Sequence, residues 1–231
     1  MKTHHRNRAG QGTTEFAIII ALIAIAAILV LSRTSFSVSN LFCQIVEGFN
    51  LQSKGVCSAI VSDEFANLQN WLSVWGNPSL NLANGQLCMG KDGRLINKTK
   101  VPNDTHITVD KAQLNSGNGY GILFRMTPSG NNYSGYAFQV DPGLGKKFVF
   151  RRYDVNGAEL SNPLAQVAAP ANFNWNAPHK VEVTAVGSTF QAFVDGVLVL
   201  TASDSTYPSG QTGLRTWDST DACFDNFTVT P

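Results

Sequence analysis

The chain has 231 residues, room for one domain of about 150–200 residues plus an appendage, which excludes a large multidomain enzyme. Seventeen Lys and Arg against 16 Asp and Glu leave a net charge of +1, too balanced for a nucleic-acid footprint. With 43% hydrophobic and only 14% charged residues, the composition also excludes a disordered polyelectrolyte.

The charge is concentrated at the start. Lys2, Arg6 and Arg8 lie in the first ten residues without an acid, and without that stretch 17 − 3 = 14 basic residues face 16 acidic ones, a net charge of −2. Lys and Arg beside an apolar segment are retained on the cytoplasmic side of a membrane, so this stretch sets an orientation. The apolar segment is Phe16 to Leu31, an uninterrupted run closed by Ser32 and Arg33. As a helix it is about 24 Å long, slightly short of a bilayer core. A secretory signal peptide would end in a small-residue cleavage site, and Leu29-Val30-Leu31-Ser32 offers none. A plain anchor fits the length but leaves Glu15, at the mouth of the run, without a partner for its charge.

The stretch Arg8-Ala9-Gly10-Gln11-Gly12-Thr13-Thr14-Glu15-Phe16 resembles the class III leader of type IV-like pilins, and the tail Val38-Ser39-Asn40-Leu41-Phe42 with Ile45-Val46 is similar to the small Flp pilins of Tad systems. The resemblance implies a leader over residues 1–10, cut by a prepilin peptidase between Gly10 and Gln11. It also implies a pilin helix and tail over 11–57, in which Glu15 neutralises the new amine of Gln11 on a neighbouring copy. Flp pilins commonly carry Tyr where this chain has Phe16, so a phenolic role in assembly is not carried over.

Cys43, Cys57, Cys88 and Cys223 are even in number and show no C-x-x-C spacing, which argues against zinc and thioredoxin-like chemistry. A translocated chain with even cysteines favours disulfides. Of three possible pairings, Cys43 with Cys57 and Cys88 with Cys223 are preferred.

From Asp63 onward the pattern is one of strands. Tyr120, Ile122, Phe124 and Met126 alternate with Gly121, Leu123, Arg125 and Thr127, and Tyr136, Phe138 and Val140 with Ala137, Gln139 and Asp141; both predict half-buried strands. Lys147 to Tyr153, Val181 to Val186, Phe190 to Val194, Val197 to Thr201 and Phe224 to Val229 predict five more, and Asp195-Gly196 and Asn156-Gly157 are turn signals. The fold expected is a long N-terminal hydrophobic α-helix followed by an all-β sandwich over residues 58–231.

The order Asp63-Glu64-Phe65, Trp71, Trp75, Asn84-Gly85-Gln86-Leu87, Gly119-Tyr120-Gly121-Ile122-Leu123-Phe124-Arg125, His179-Lys180-Val181, Phe193-Val194-Asp195-Gly196 and Phe224-Asp225-Asn226-Phe227 resembles a concanavalin A-like lectin/glucanase jelly roll. Laminarinase-type members carry Glu-x-Asp-x-x-Glu on one strand, the pair of carboxylates that retaining hydrolysis requires, and this chain has no such string. Glu64, Glu159 and Glu182 stand singly, so catalysis is not expected. Sugar binding needs aromatic faces and polar groups together. Trp217, between Arg215 and Asp218, is the first candidate, with Tyr133 and Arg152 behind it. The resemblance also admits calcium through Asp63 and Asp225, although two carboxylates fall short of a calcium shell and no cofactor is required.

The expected function is therefore a structural subunit of an extracellular Tad/Flp-type pilus, with a lectin-like domain that contacts surface glycans. Its partners would be copies of itself, the prepilin peptidase, the assembly machinery and, as a precursor, the cytoplasmic membrane. A membrane-anchored sugar-binding module that never polymerises and a glycosidase-like enzyme are the alternatives.

Overall fold

The computed structural model describes residues 59–130 and 132–231. The leader, the helix, Gly10, Gln11, Glu15, Phe16, Cys43 and Cys57 lie outside the described residues. Among the described residues no helix is long and apolar enough to cross a membrane.

Among the described residues fifteen strands form two antiparallel sheets. The first contains β1 (Val61–Asp63), β3 (Ser79–Ala83), β4 (Gln86–Gly90), β6 (Thr105–Ser116), β11 (Pro178–Val186), β12 (Thr189–Val194), β13 (Val197–Ser203) and β15 (Asp221–Thr230). Its order is β13-β12-β11-β6-β15-β4-β3. β1 also pairs with β15, at Phe227 to Val229, while β4 takes Asp221 to Asp225. The second contains β2 (Trp71–Gly76), β5 (Gly93–Asn97), β7 (Tyr120–Ser129), β8 (Asn132–Asp141), β9 (Lys147–Tyr153), β10 (Ala165–Ala168) and β14 (Gln211–Thr216), in the order β10-β9-β8-β7-β14-β5-β2.

Turn chemistry sets the hairpins. Asn84-Gly85 joins β3 to β4 and Asp195-Gly196 joins β12 to β13, with φ of 55° and 73° in the first and 52° and 76° in the second. Left-handed values at two successive residues match the twist of the flanking strands, and Asn, Asp and Gly reach them most cheaply.

The inner faces pack into one core. Tyr120, Ile122, Phe124, Tyr136, Phe138 and Val140 from the second sheet meet Ile107, Val109, Val181, Val183, Phe190 and Phe224 from the first. Phe124 sits at its centre, its ring edge-on to Phe150 and Phe190 and stacked on Tyr136.

Two expectations about the second sheet are corrected. β7 and β8 are buried on both faces rather than half-buried: Leu123 and Ala137 on the outer face are as enclosed as Ile122 and Phe138 on the inner one. Met126, placed with Tyr120 and Phe124 by alternation, instead joins Leu123, Tyr133 and Ala137 in an outer cluster. The cause is a bulge: the β7–β8 register shifts between Phe124 and Thr127, with Arg125 at φ 49°, and one extra residue reverses every later side chain. The outer face of this sheet therefore carries a cover of its own.

Candidate functional site

That cover is built of cations, rings and one carboxylate. Across the sheet, Trp75 pairs with Arg94, Arg94 with Arg215, Arg215 with Gly121, and Gly121 with Gln139, so β2, β5, β14, β7 and β8 present one continuous row. Gly121 leaves a trough in that row. A Cβ there would stand 2.7 Å from the Phe138 carbonyl and 3.1 Å from Arg215 Cγ.

Glu159 is the hub. Its Oε2 accepts from Arg215 Nη1 at 2.6 Å, Tyr153 OH at 2.8 Å and Gln139 Nε2 at 3.1 Å. Its Oε1 lies 3.0 Å from Arg151 Nε, an ion pair whose angle does not make a hydrogen bond. Arg215 also donates to the Tyr153 hydroxyl. The turn before Glu159 puts it there: the Asp154 carboxylate accepts from the amides of Asn156 and Ala158, and Gly157 packs over the Tyr133 ring, where a Cβ would meet Cε1 at 3.2 Å. Asn156-Gly157 thus lowers Glu159 onto the sheet.

Aromatic rings frame the cations. The Arg94 guanidinium carbon is 4.1 Å from the Trp75 ring centroid, 4.7 Å from that of Tyr133 and 5.1 Å from that of Tyr153. The Arg215 carbon is 4.4 Å from that of Trp217. Gly119 makes room for Trp217, because a Cβ there would be 2.7 Å from the indole. Such stacking favours a cation more when water is excluded. Burial lowers the pKa of Arg94, and lowers that of Arg215 with help from the neighbouring Arg94 charge; burial raises that of Asp141.

Buried polar atoms without a hydrogen bond gather at this face. Of six such atoms among the described residues, five are Asp92 Oδ1, Arg94 Nε, Tyr133 OH, Arg151 Nε and Arg215 Nε. Unmet donors and acceptors in a buried place cost free energy, so their concentration sets this face apart from the rest of the sandwich. Beside them lies an open depression of about 590 Å³ lined by Trp75, Gly76, Asn77, Lys91, Asp92, Asp218 and Ser219.

Arg215, Trp217 and Asp218 lie together, with Asp218 also accepting from Asn118. Tyr133 belongs to the same assembly but is fully buried, beneath Arg94. Arg152 does not belong to it. Strand alternation sends Arg152 to the other face of β9, where it pairs with Asp204 at 2.6 Å and Thr206 at 2.7 Å. Its neighbour Arg151 holds the site position. Phe148 and Phe150 face the core, and their period of two already assigns Arg151 and Tyr153 to the opposite side.

Asp63 and Asp225 turn to different partners. Asp63 accepts from the amide of Phe65 and the indole of Trp71, and Asp225 pairs with Lys111 at 3.1 Å. Among the described residues no three His, Cys, Asp or Glu side chains gather to hold a metal. Cys88 and Cys223, opposite each other on β4 and β15, form a disulfide. Glu182 is mostly buried between His106 and Lys180, each 3.1 Å away.

Two antiparallel sheets packed face to face, with rings and polar groups on one outer face, define a jelly-roll sandwich. The chain belongs to the 3-keto-alpha-glucoside-1,2-lyase-like domain family, whose model matches residues 63–230. It is 30% identical over 166 residues to the levanase of Bacillus subtilis (strain 168), an alignment covering 71% of this chain and 23% of that enzyme. The carbohydrate-binding module CBM66 from Bacillus subtilis superposes with a TM-score of 0.58 at 24% identity, over 71% of this chain and 98% of the module. A Bacillus licheniformis beta-glucanase does so at 0.55 and 13%, over 74% and 97%. These two likenesses bear on the fold alone.

Proposed function

We propose that the jelly roll binds carbohydrate on the outer face of its second sheet without cleaving it. The observation that carries this reading is the gathering of five buried, unmet polar atoms beside Trp75 and Trp217. Rings take the C–H faces of a sugar, and Arg, Asp and Tyr groups take its hydroxyls. The levanase relative supports the same ligand class.

The test is a glycan array followed by calorimetry on the hits. Trp75→Ala and Trp217→Ala should each weaken binding by about 1–3 kcal/mol, the scale of burying an aromatic side chain. An array without hits, with and without calcium, would overturn the reading. The same incubations should release no reducing sugar; release would assign chemistry to the carboxylates at this face, Asp92, Asp141, Glu159 and Asp218.

The proposal extends to how the domain is displayed. Residues 11–57 would carry it as a subunit of a Tad/Flp-type pilus, inserted in the cytoplasmic membrane as a precursor and extracellular once assembled. Support comes from the sequence: Gly10, Glu15 and the apolar run at pilin offsets. Mass spectrometry of sheared surface filaments should find Gln11 as the first residue. An intact Met1 start, in a protein that stays in the membrane fraction, would make it a monomeric anchored module.

A further inference from the structure

The three guanidiniums of the site are not treated alike. Arg215 and Arg151 share Glu159, whereas Arg94 forms no hydrogen bond or salt bridge among the described residues. It is nevertheless 7% exposed. Arg94 and Arg215 are also direct cross-strand partners, a placement in which like charges repel. Rings surround Arg94, and the carboxylates of Glu159 and Asp92 act on it only through space.

Resting on the carbohydrate-binding reading, we infer that Arg94 receives a carboxylate of the ligand, so that the sugar bound is a uronate rather than a neutral hexose. The planar guanidinium fork matches a carboxylate in a way it does not match a single hydroxyl. Glu159 and Asp92 act on the Arg94 charge through space, but neither makes a hydrogen bond or salt bridge to it among the described residues, so the fork itself is open to a ligand carboxylate. The rim has a different use. Asp92, with one oxygen buried and unmet, is an acceptor for hydroxyl donors of the same sugar, and Lys91 beside it offsets part of its charge.

The test is calorimetry on the full chain in detergent, with D-glucuronate and D-galacturonate against D-glucose and D-galactose, and with glucose 6-phosphate as a tetrahedral anion. Uronates should bind about tenfold or more tightly than their parent hexoses, and the ratio should shrink as salt is raised. Arg94→Gln should bring the ratio to about one. Arg94→Lys, which keeps the charge and loses the fork, should keep only part of it. A wild-type ratio near one, with both sugars bound, would overturn this inference and leave the carbohydrate reading standing. Glucose 6-phosphate binding as tightly as glucuronate would overturn the carboxylate assignment. No binding of any probe would overturn both.

Discussion

Replacing Glu159 with Ala should be among the costliest single changes in the jelly roll, lowering its stability by about 2–3 kcal/mol and its melting temperature by about 4–12 °C. Glu159 holds Arg215 at 2.6 Å and Arg151 at 3.0 Å, and Arg215's side chain is only 4% exposed. Without the carboxylate, the buried guanidiniums of Arg215 and Arg151 lose the partner they share, and an uncompensated buried charge costs several kcal/mol. The carboxylate itself is 27% exposed, so solvent screening brings the figure below that of a wholly buried pair. Removing both charges should be milder than removing one: the double variant Glu159→Gln with Arg215→Gln should recover part of the loss of Glu159→Gln alone. Urea denaturation of the four proteins measures this coupling. A coupling near zero, or a loss under about 0.5 kcal/mol for Glu159→Ala, would reduce the network to a surface ion pair.

The sheets are legible in the sequence because their signals are local. Alternation in Tyr120 to Phe124 and in Tyr136 to Val140 predicts which residues meet in the core, and Asp195-Gly196 is a hairpin turn on its own chemistry. Legibility ends where a distant residue decides. Nothing near Met126 announces the bulge at Arg125 that reverses it. Glu159 stands alone in sequence, and its role comes from partners 6, 8, 20 and 56 residues away: Tyr153, Arg151, Gln139 and Arg215. Arg94 is an unremarkable residue in Gly93-Arg94-Leu95 until β5 is laid beside β14. The loop carrying Trp217 is readable as a candidate because Arg215, Trp217 and Asp218 are nearly contiguous. The choice between Arg151 and Arg152 is also local, since the strand period that Phe148 and Phe150 fix sends Arg151 outward and Arg152 inward.

The segment 58–231 expressed alone in an oxidising compartment should fold as a strand-rich monomer, with two thiols, Cys88 and Cys223, joined to each other. Replacing both with Ser should then lower its stability by about 3–5 kcal/mol. The two residues are 135 apart in sequence and directly opposite on β4 and β15. Closing so long a loop removes conformational freedom from the unfolded chain, about 5 kcal/mol in the chain-entropy model, and less where the reduced unfolded state is already compact. The native side changes little. Cys223 is 9% exposed and accepts a contact from Asn115 that a hydroxyl can also accept, while Leu87, Met89 and Phe224 keep the same strands buried in the core. The serine variant should therefore keep the wild-type circular dichroism spectrum and glycan hits while its urea midpoint falls. Reductant added to the wild type should reproduce the shift and leave the variant where it was. Equal midpoints for oxidised wild type and variant would mean that the unfolded chain does not gain the freedom the loop length predicts. Loss of the spectrum itself would mean that β4 and β15 need the covalent link to pair at all.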